Sequence, residues 1–199
     1  MLVTMKEMLA DAREKKYAVP AFDVSNYEMV KAVIDVCEEE RSSALFMCLK
    51  PDMQNKGIKF ITAMIREAAE QYSVPVCMHL DHATELDDIK EAIDNGFSSV
   101  MYDGSVLPFE QNAAKTLEVT KIAHAKGVTV EAELGHVGDA IAGTGEDVLA
   151  KNSNAKVDNP EDTLTDPEEV KRFIEITDVD ALAVAIGTSH GVYRSTPTL

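Results

Sequence analysis

Chemistry-bearing residues collect at four places in this chain. His79-Leu80-Asp81-His82 closes one apolar run and Tyr102-Asp103-Gly104 another; Glu131-Ala132-Glu133-Leu134-Gly135-His136 ends a third, and Gly187-Thr188-Ser189-His190-Gly191 follows a fourth. In extended backbone the side chains alternate, so His79 and Asp81 share one face and Leu80 and His82 the other, although the last residue can already turn into the loop. An Asp beside a His at such an end supplies a base and a metal ligand. Helix capping plus a hydrogen-bonded His is the plainer alternative, and position at a strand end leaves both open. Glu131 and Glu133 also share a face, and two carboxylates inside a barrel are costly unless paired, hydrogen-bonded or metal-bound. His190 could ligate a metal through neutral imidazole, while Gly187 and Gly191 would let backbone N–H groups approach a phosphate. Two histidines with several carboxylates suggest a divalent ion, and imidazole favours zinc among the common ones. His124, before Ala125-Lys126-Gly127, suits the negative end of a helix and is set aside.

The elements that must hold these groups are legible from period and caps. Six short runs rich in β-branched residues alternate with segments of helical period: 18–24, 44–49, 74–80, 98–102, 129–133 and 181–186. Several are apolar at nearly every position, as strands covered on both faces are, so the pattern predicts βα units around a parallel sheet. Val30, Val33, Ile34 and Cys37 make one helical stripe behind Asn26 as N-cap. Leu86, Ile89 and Ile93 make another, predicted to start at Thr84 and close at Gly96. Asp166, Pro167 and Glu169 begin a helix bearing Val170, Phe173 and Ile174, and a Thr4/Glu7 capping box begins a leading one. Leu134 to Leu164 breaks the rhythm. So long a stretch without apolar period, starting at a strand's C-terminal end, reads as a mobile active-site loop, an insertion without a role being the alternative.

Composition narrows the function classes. At 199 residues the length prior favours one domain, and 45% hydrophobic with 27% charged residues excludes collagen-like and disordered chains. The net charge of −16 argues against nucleic-acid binding, which needs clustered Lys and Arg. Cys37, Cys48 and Cys77 each lie in an apolar run and offer neither a disulfide framework nor a metal pair, which points to a reducing, cytoplasmic setting. No run approaches a membrane span, and neither a membrane nor a nucleic-acid partner is expected.

Four ordered motifs, 74–83 (VPVCMHLDHA), 99–105 (SVMYDGS), 130–138 (VEAELGHVG) and 185–193 (AIGTSHGVY), resemble the class II, zinc-dependent fructose-bisphosphate and tagatose-bisphosphate aldolases. The resemblance implies an α/β fold, a TIM (β/α)8 barrel with about six of its eight βα units in this chain. It implies reversible cleavage of a ketose bisphosphate to dihydroxyacetone phosphate and glyceraldehyde 3-phosphate, with Zn2+ as cofactor and a homo-oligomer, dimer or tetramer, as the assembled form. Carried over by position, Asp81 resembles the catalytic acid/base, His82 and His190 match two of three zinc histidines, and Asp103 and Glu133 match residues at a second or displaced metal position. Gly191 resembles a phosphate-contacting glycine, Asn26 is a further candidate for substrate binding, and Glu146 is the nearest candidate for the loop carboxylate that returns a proton. The first strand ends Phe22-Asp23 where the family has Phe-Asn. After Pro197 the family continues with a third zinc histidine in His-Gly-Gly-Ser-Gly, so the resemblance is to a C-terminally truncated member, one barrel domain over 1–199 with a mobile loop over 134–164. Weak zinc binding and little turnover are expected of the isolated 199-residue chain. A non-catalytic truncated barrel that binds metal or sugar phosphate, or pairs with another chain, is the alternative.

Overall fold

Three of the four helix starts marked in the sequence are built by the side chains expected of them. In the computed structural model, which describes residues 1–138 and 164–191, Thr4 and Glu7 form a reciprocal capping box at α1 (Met5–Lys15). The Asn26 side chain accepts the Met29 N–H at α2 (Tyr27–Glu40), and Asp166 accepts the Glu168 N–H at the last helix (Pro167–Thr177). Such caps contribute about 1 kcal/mol each. Thr84 is the exception. Its strand runs on to Ala83, so the chain turns through Thr84 and Glu85 and the helix Leu86–Asp94 starts without a side-chain cap. Asp87 and Asp88 in the first turn still complement the helix dipole.

The remaining elements complete a βα alternation: β1 (Ala21–Asp23), β2 (Ala44–Cys48), α3 (Lys50–Met53), α4 (Gly57–Gln71), β3 (Val76–Ala83), α5 (Leu86–Asp94), β4 (Ser99–Tyr102), α6 (Phe109–His124), β5 (Thr129–Leu134), α7 (Pro167–Thr177) and β6 (Ala181–Val184). Strand order is chain order, β1 to β6, and every pairing with a described register is parallel. The α/β class and the six strands predicted from the sequence are therefore present. His124 ends α6, as expected. The helix α4 was not singled out in the sequence, although Ile58, Ile61, Ile65 and Ala68 form its buried stripe. Its start is tight: a Cβ on Gly57 would lie 2.1 Å from the Asp52 carbonyl oxygen.

The chain divides into two compact units. The first comprises Met1–Tyr102 and Lys121–Val130, the second Asp103–Thr120 and the described residues from Glu131 onward. In the first, Phe46, Ile34, Ile58, Ile65, Met78, Leu80, Ile89 and Met101 are fully buried. Burial of each such side chain contributes roughly 1.5–3 kcal/mol. Strand β3 is buried from Val76 through Asp81, as a strand covered on both faces must be. The second unit packs Ala113, Ala132, Leu134 and Phe173 together, with Phe109, Val170 and Leu182 against them. No helix among the described residues is long and apolar enough to cross a membrane.

Candidate active site

In the first unit the site residues stand at the C-terminal ends of β1, β2 and β3. His79 is fully buried and Asp81 8% exposed. The predicted alternation holds for this pair, whose Nε2 and Oδ1 atoms lie 3.7 Å apart. It fails at the next residue. The β3/β4 register shifts between Leu80 and Ala83, and His82 takes φ +45, a left-handed conformation in which a side chain is disfavoured. Strained residues of this kind cost of order 1–3 kcal/mol and cluster at functional sites. The bulge turns His82 out of the alternation.

Acidic groups crowd these strand ends. Desolvation by surrounding protein raises the Asp23 carboxyl above the ordinary carboxylate range, and repulsion from Asp81 and then Asp52 adds to it, while His82 and His79 pull the other way. Asp23 thus retains its proton more readily in the folded than in the unfolded chain. Its contribution to stability is complete below the unfolded pKa and is lost as pH rises through the folded one. In the metal-free protein Asp23→Asn is therefore expected to raise the urea midpoint at pH 7 and to leave it nearly unchanged at pH 3. Equal shifts at both pH values would refute this reading. Cys48 is fully buried beside the same acids. Burial, then Asp52, Asp23 and Asp81, push its thiol far above the ordinary value, so it stays protonated and is no nucleophile.

The second unit carries a polar cluster. Asp103 Oδ1 accepts the Ser105 N–H at 2.9 Å. Glu133 is 1% exposed, and its Oε1 accepts the Val137 N–H at 2.9 Å and lies 3.8 Å from His136 Nδ1. Ser105 Oγ is 3.0 Å from the same His136 nitrogen. The backbone beneath is pinned by α6: Asn112 Nδ2 donates to the Glu133 carbonyl at 2.8 Å, and Thr116 donates to Asn112 Oδ1 at 3.1 Å. Thr165 ties the strand ends together, donating its hydroxyl to the Leu134 carbonyl and accepting the Ala185 N–H at 2.7 Å. His190 donates its backbone N–H to the Gly138 carbonyl at 2.9 Å. Gly191 has φ +82, which a residue with a Cβ rarely adopts.

The structure therefore places Asp81 and His82 at the end of β3, Asp103 directly after β4, Glu133 near the end of β5, and His190 and Gly191 six and seven residues beyond the end of β6. Glu131 is half-buried, and Asn26 caps α2 from an exposed position. Glu146 and most of the expected 134–164 loop lie outside the described residues. Ser99, Ser105 and His136 join the site only in the structure, and His79 gains a defined partner there. For His136, the spacing of three residues from Glu133 was the available signal; for Ser99 there was none, since its partner is set by register. In the second unit Asp103 and Glu133 offer carboxylates, and in the first His82 offers an imidazole; each is a ligand type that suits a divalent cation by its chemistry. A buried carboxylate such as Glu133 is the kind of group whose charge a bound cation offsets.

A sequence profile described as fructose-bisphosphate aldolase class-II matches residues 3–199. The chain belongs to the class II fructose-bisphosphate aldolase family. A fructose-bisphosphate aldolase of Giardia intestinalis is 42% identical over 97% of the chain, and the chain covers 56% of that relative, so it spans about half of its length. The crystal structure of the YdjI aldolase from Escherichia coli K12 matches with a TM-score of 0.82 and 34% identity, over all of this chain and 66% of that one. A fructose-bisphosphate aldolase from Campylobacter jejuni shares the fold at a TM-score of 0.71 and 22% identity, over 98% of this chain and 61% of its own. The six parallel strands and their helices are thus part of the α/β fold of the class II aldolases.

Proposed function

We propose that this chain supplies the catalytic strand ends of a zinc-dependent ketose-bisphosphate aldolase, which cleaves fructose or tagatose 1,6-bisphosphate to dihydroxyacetone phosphate and glyceraldehyde 3-phosphate. The observation that carries the reading is Asp81, a nearly buried carboxylate at the end of β3, in a chain matched from end to end by the family profile. Asp81 takes the proton from the C4 hydroxyl as the C3–C4 bond breaks. The electron pair of that bond stays on the dihydroxyacetone phosphate fragment, and Glu146 returns a proton to it. His82 and His190, with Asp103 and Glu133, would hold the ion. Zinc, when bound, supplies Lewis-acid stabilisation of the negative charge that develops on the substrate. Gly191 offers its backbone N–H to a phosphate, and Asn26 stands at the start of α2 as a second contact for substrate. We further place the protein in the cytoplasm as a homo-oligomer; three buried cysteines outside any disulfide suit a reducing compartment.

Zinc titration by calorimetry, run beside cleavage assays on both bisphosphates, tests this on the protein that carries the chain. Saturable zinc binding that His82→Ala weakens by about 10-fold or more, with cleavage of one bisphosphate abolished by a chelator, is the expected result. Cleavage that survives complete removal of metal would overturn the zinc-dependent reading. Zinc binding without cleavage of any ketose bisphosphate would favour the non-catalytic alternative.

A further inference from the structure

His79 and Ser99 are both fully buried polar residues that the chemistry above leaves unused. We propose that His79, oriented by Ser99, is a positioning residue for Asp81, an inference that rests on the aldolase reading of that carboxylate. The parallel register sets His79 beside Ser99, and His79 Nδ1 lies 2.8 Å from Ser99 Oγ. The other ring nitrogen, Nε2, faces Asp81 Oδ1 at 3.7 Å. That separation exceeds a hydrogen bond, so in the resting protein the contact is electrostatic; such contacts often shorten only when substrate binds.

The chemistry of the three groups fixes the direction of the relay. A carboxylate accepts and does not donate, so the favourable ring form presents N–H from Nε2. Nδ1 is then an acceptor, and the Ser99 hydroxyl donates to it. A hydroxyl can play either part, but only the donating one leaves a proton on the nitrogen facing Asp81. The need for such a contact is local. Asp81 lies in the stretch between Leu80 and Ala83 where the β3/β4 register shifts. Strand pairing holds it less firmly there, and a side chain locked from β4 supplies the missing orientation. A base held in place saves reorganisation when the proton moves. Two apolar residues could fill the same space at little cost, so buried polarity here marks a specific arrangement.

Two measurements test the relay. Long-range 1H–15N correlation on the histidine-labelled protein should show His79 as the Nε2–H tautomer, and Ser99→Ala should move it towards a mixture. A His79 imidazole found as Nδ1–H, or one indifferent to Ser99→Ala, overturns the proposal. For activity, His79→Gln keeps an amide N–H near the place of Nε2, whereas His79→Asn keeps one near Nδ1. In His79→Asn and Ser99→Ala, kcat should fall by about 10–100-fold with KM little changed, and His79→Gln should stay closer to wild type. Equal losses in the Gln and Asn variants that follow their melting temperatures would mean a packing role only. If the His79 variants do not fold, Ser99→Ala, which deletes one oxygen, decides. A wild-type protein that cleaves no ketose bisphosphate overturns the aldolase reading, and the tautomer measurement still decides the relay.

Discussion

In Asp81→Asn, cleavage of the ketose bisphosphate should fall by about 10²–10⁴-fold in kcat, the usual worth of a positioned acid–base group, with KM and zinc affinity little changed. Asparagine keeps the shape of the side chain and an oxygen that can face His79, but it cannot take a proton. The change isolates proton transfer from packing, which matters at a residue only 8% exposed. It also removes a negative charge that raises the Asp23 carboxyl, so stability in the metal-free protein should hold or rise slightly. A coupled assay of triose phosphate release, paired with urea unfolding, reads both effects. Activity within threefold of wild type would remove Asp81 from the catalytic role.

The largest stability effect should come from Phe173→Ala. The ring is fully buried against Ala113, Ala132 and Leu134 and meets Phe109 edge-on, with centroids 5.8 Å apart. Its neighbour Arg172 lies over the Phe109 ring at 4.6 Å and pairs with Glu110. Truncating a buried Phe costs about 3–5 kcal/mol through lost transfer and the cavity left behind. That is a large share of the 5–15 kcal/mol typical of a folded domain. The loss should appear as a lower urea midpoint and as faster amide exchange in β5 and β6, because Leu134 and Leu182 pack in the same cluster. Glu133 immediately precedes Leu134, so on the proposed metal-holding role of Glu133 zinc affinity should weaken in parallel. Ile174→Ala, at an exposed position of the same helix, is the control and should change stability by no more than about 0.5 kcal/mol. A loss below 1 kcal/mol in Phe173→Ala would show that this cluster does not hold the unit together.

The six strands were legible because a strand covered on both faces must be apolar throughout, and the helix starts at Thr4, Asn26 and Asp166 because an N-cap is a local hydrogen bond. The strand bounds moved where neighbours decided them. β1 shrank to Ala21–Asp23, and β3 gained three residues as far as Ala83, and that gain is what displaced the predicted cap at Thr84. Asp81 and His82 were legible as chemistry by residue type and by their place after an apolar run.

By itself, the sequence determined the α/β class, the parallel alternation, the family motifs and which residues could act as base or ligand, since each depends on residue types over short spans. Only the tertiary structure decided that His79 faces Ser99, that His82 leaves the strand's alternation through a positive φ, and that Asn112 and Val137 hold Glu133. Those contacts depend on strand register and on helix placement. Register is fixed by packing among residues far apart in the chain, which no local spacing records.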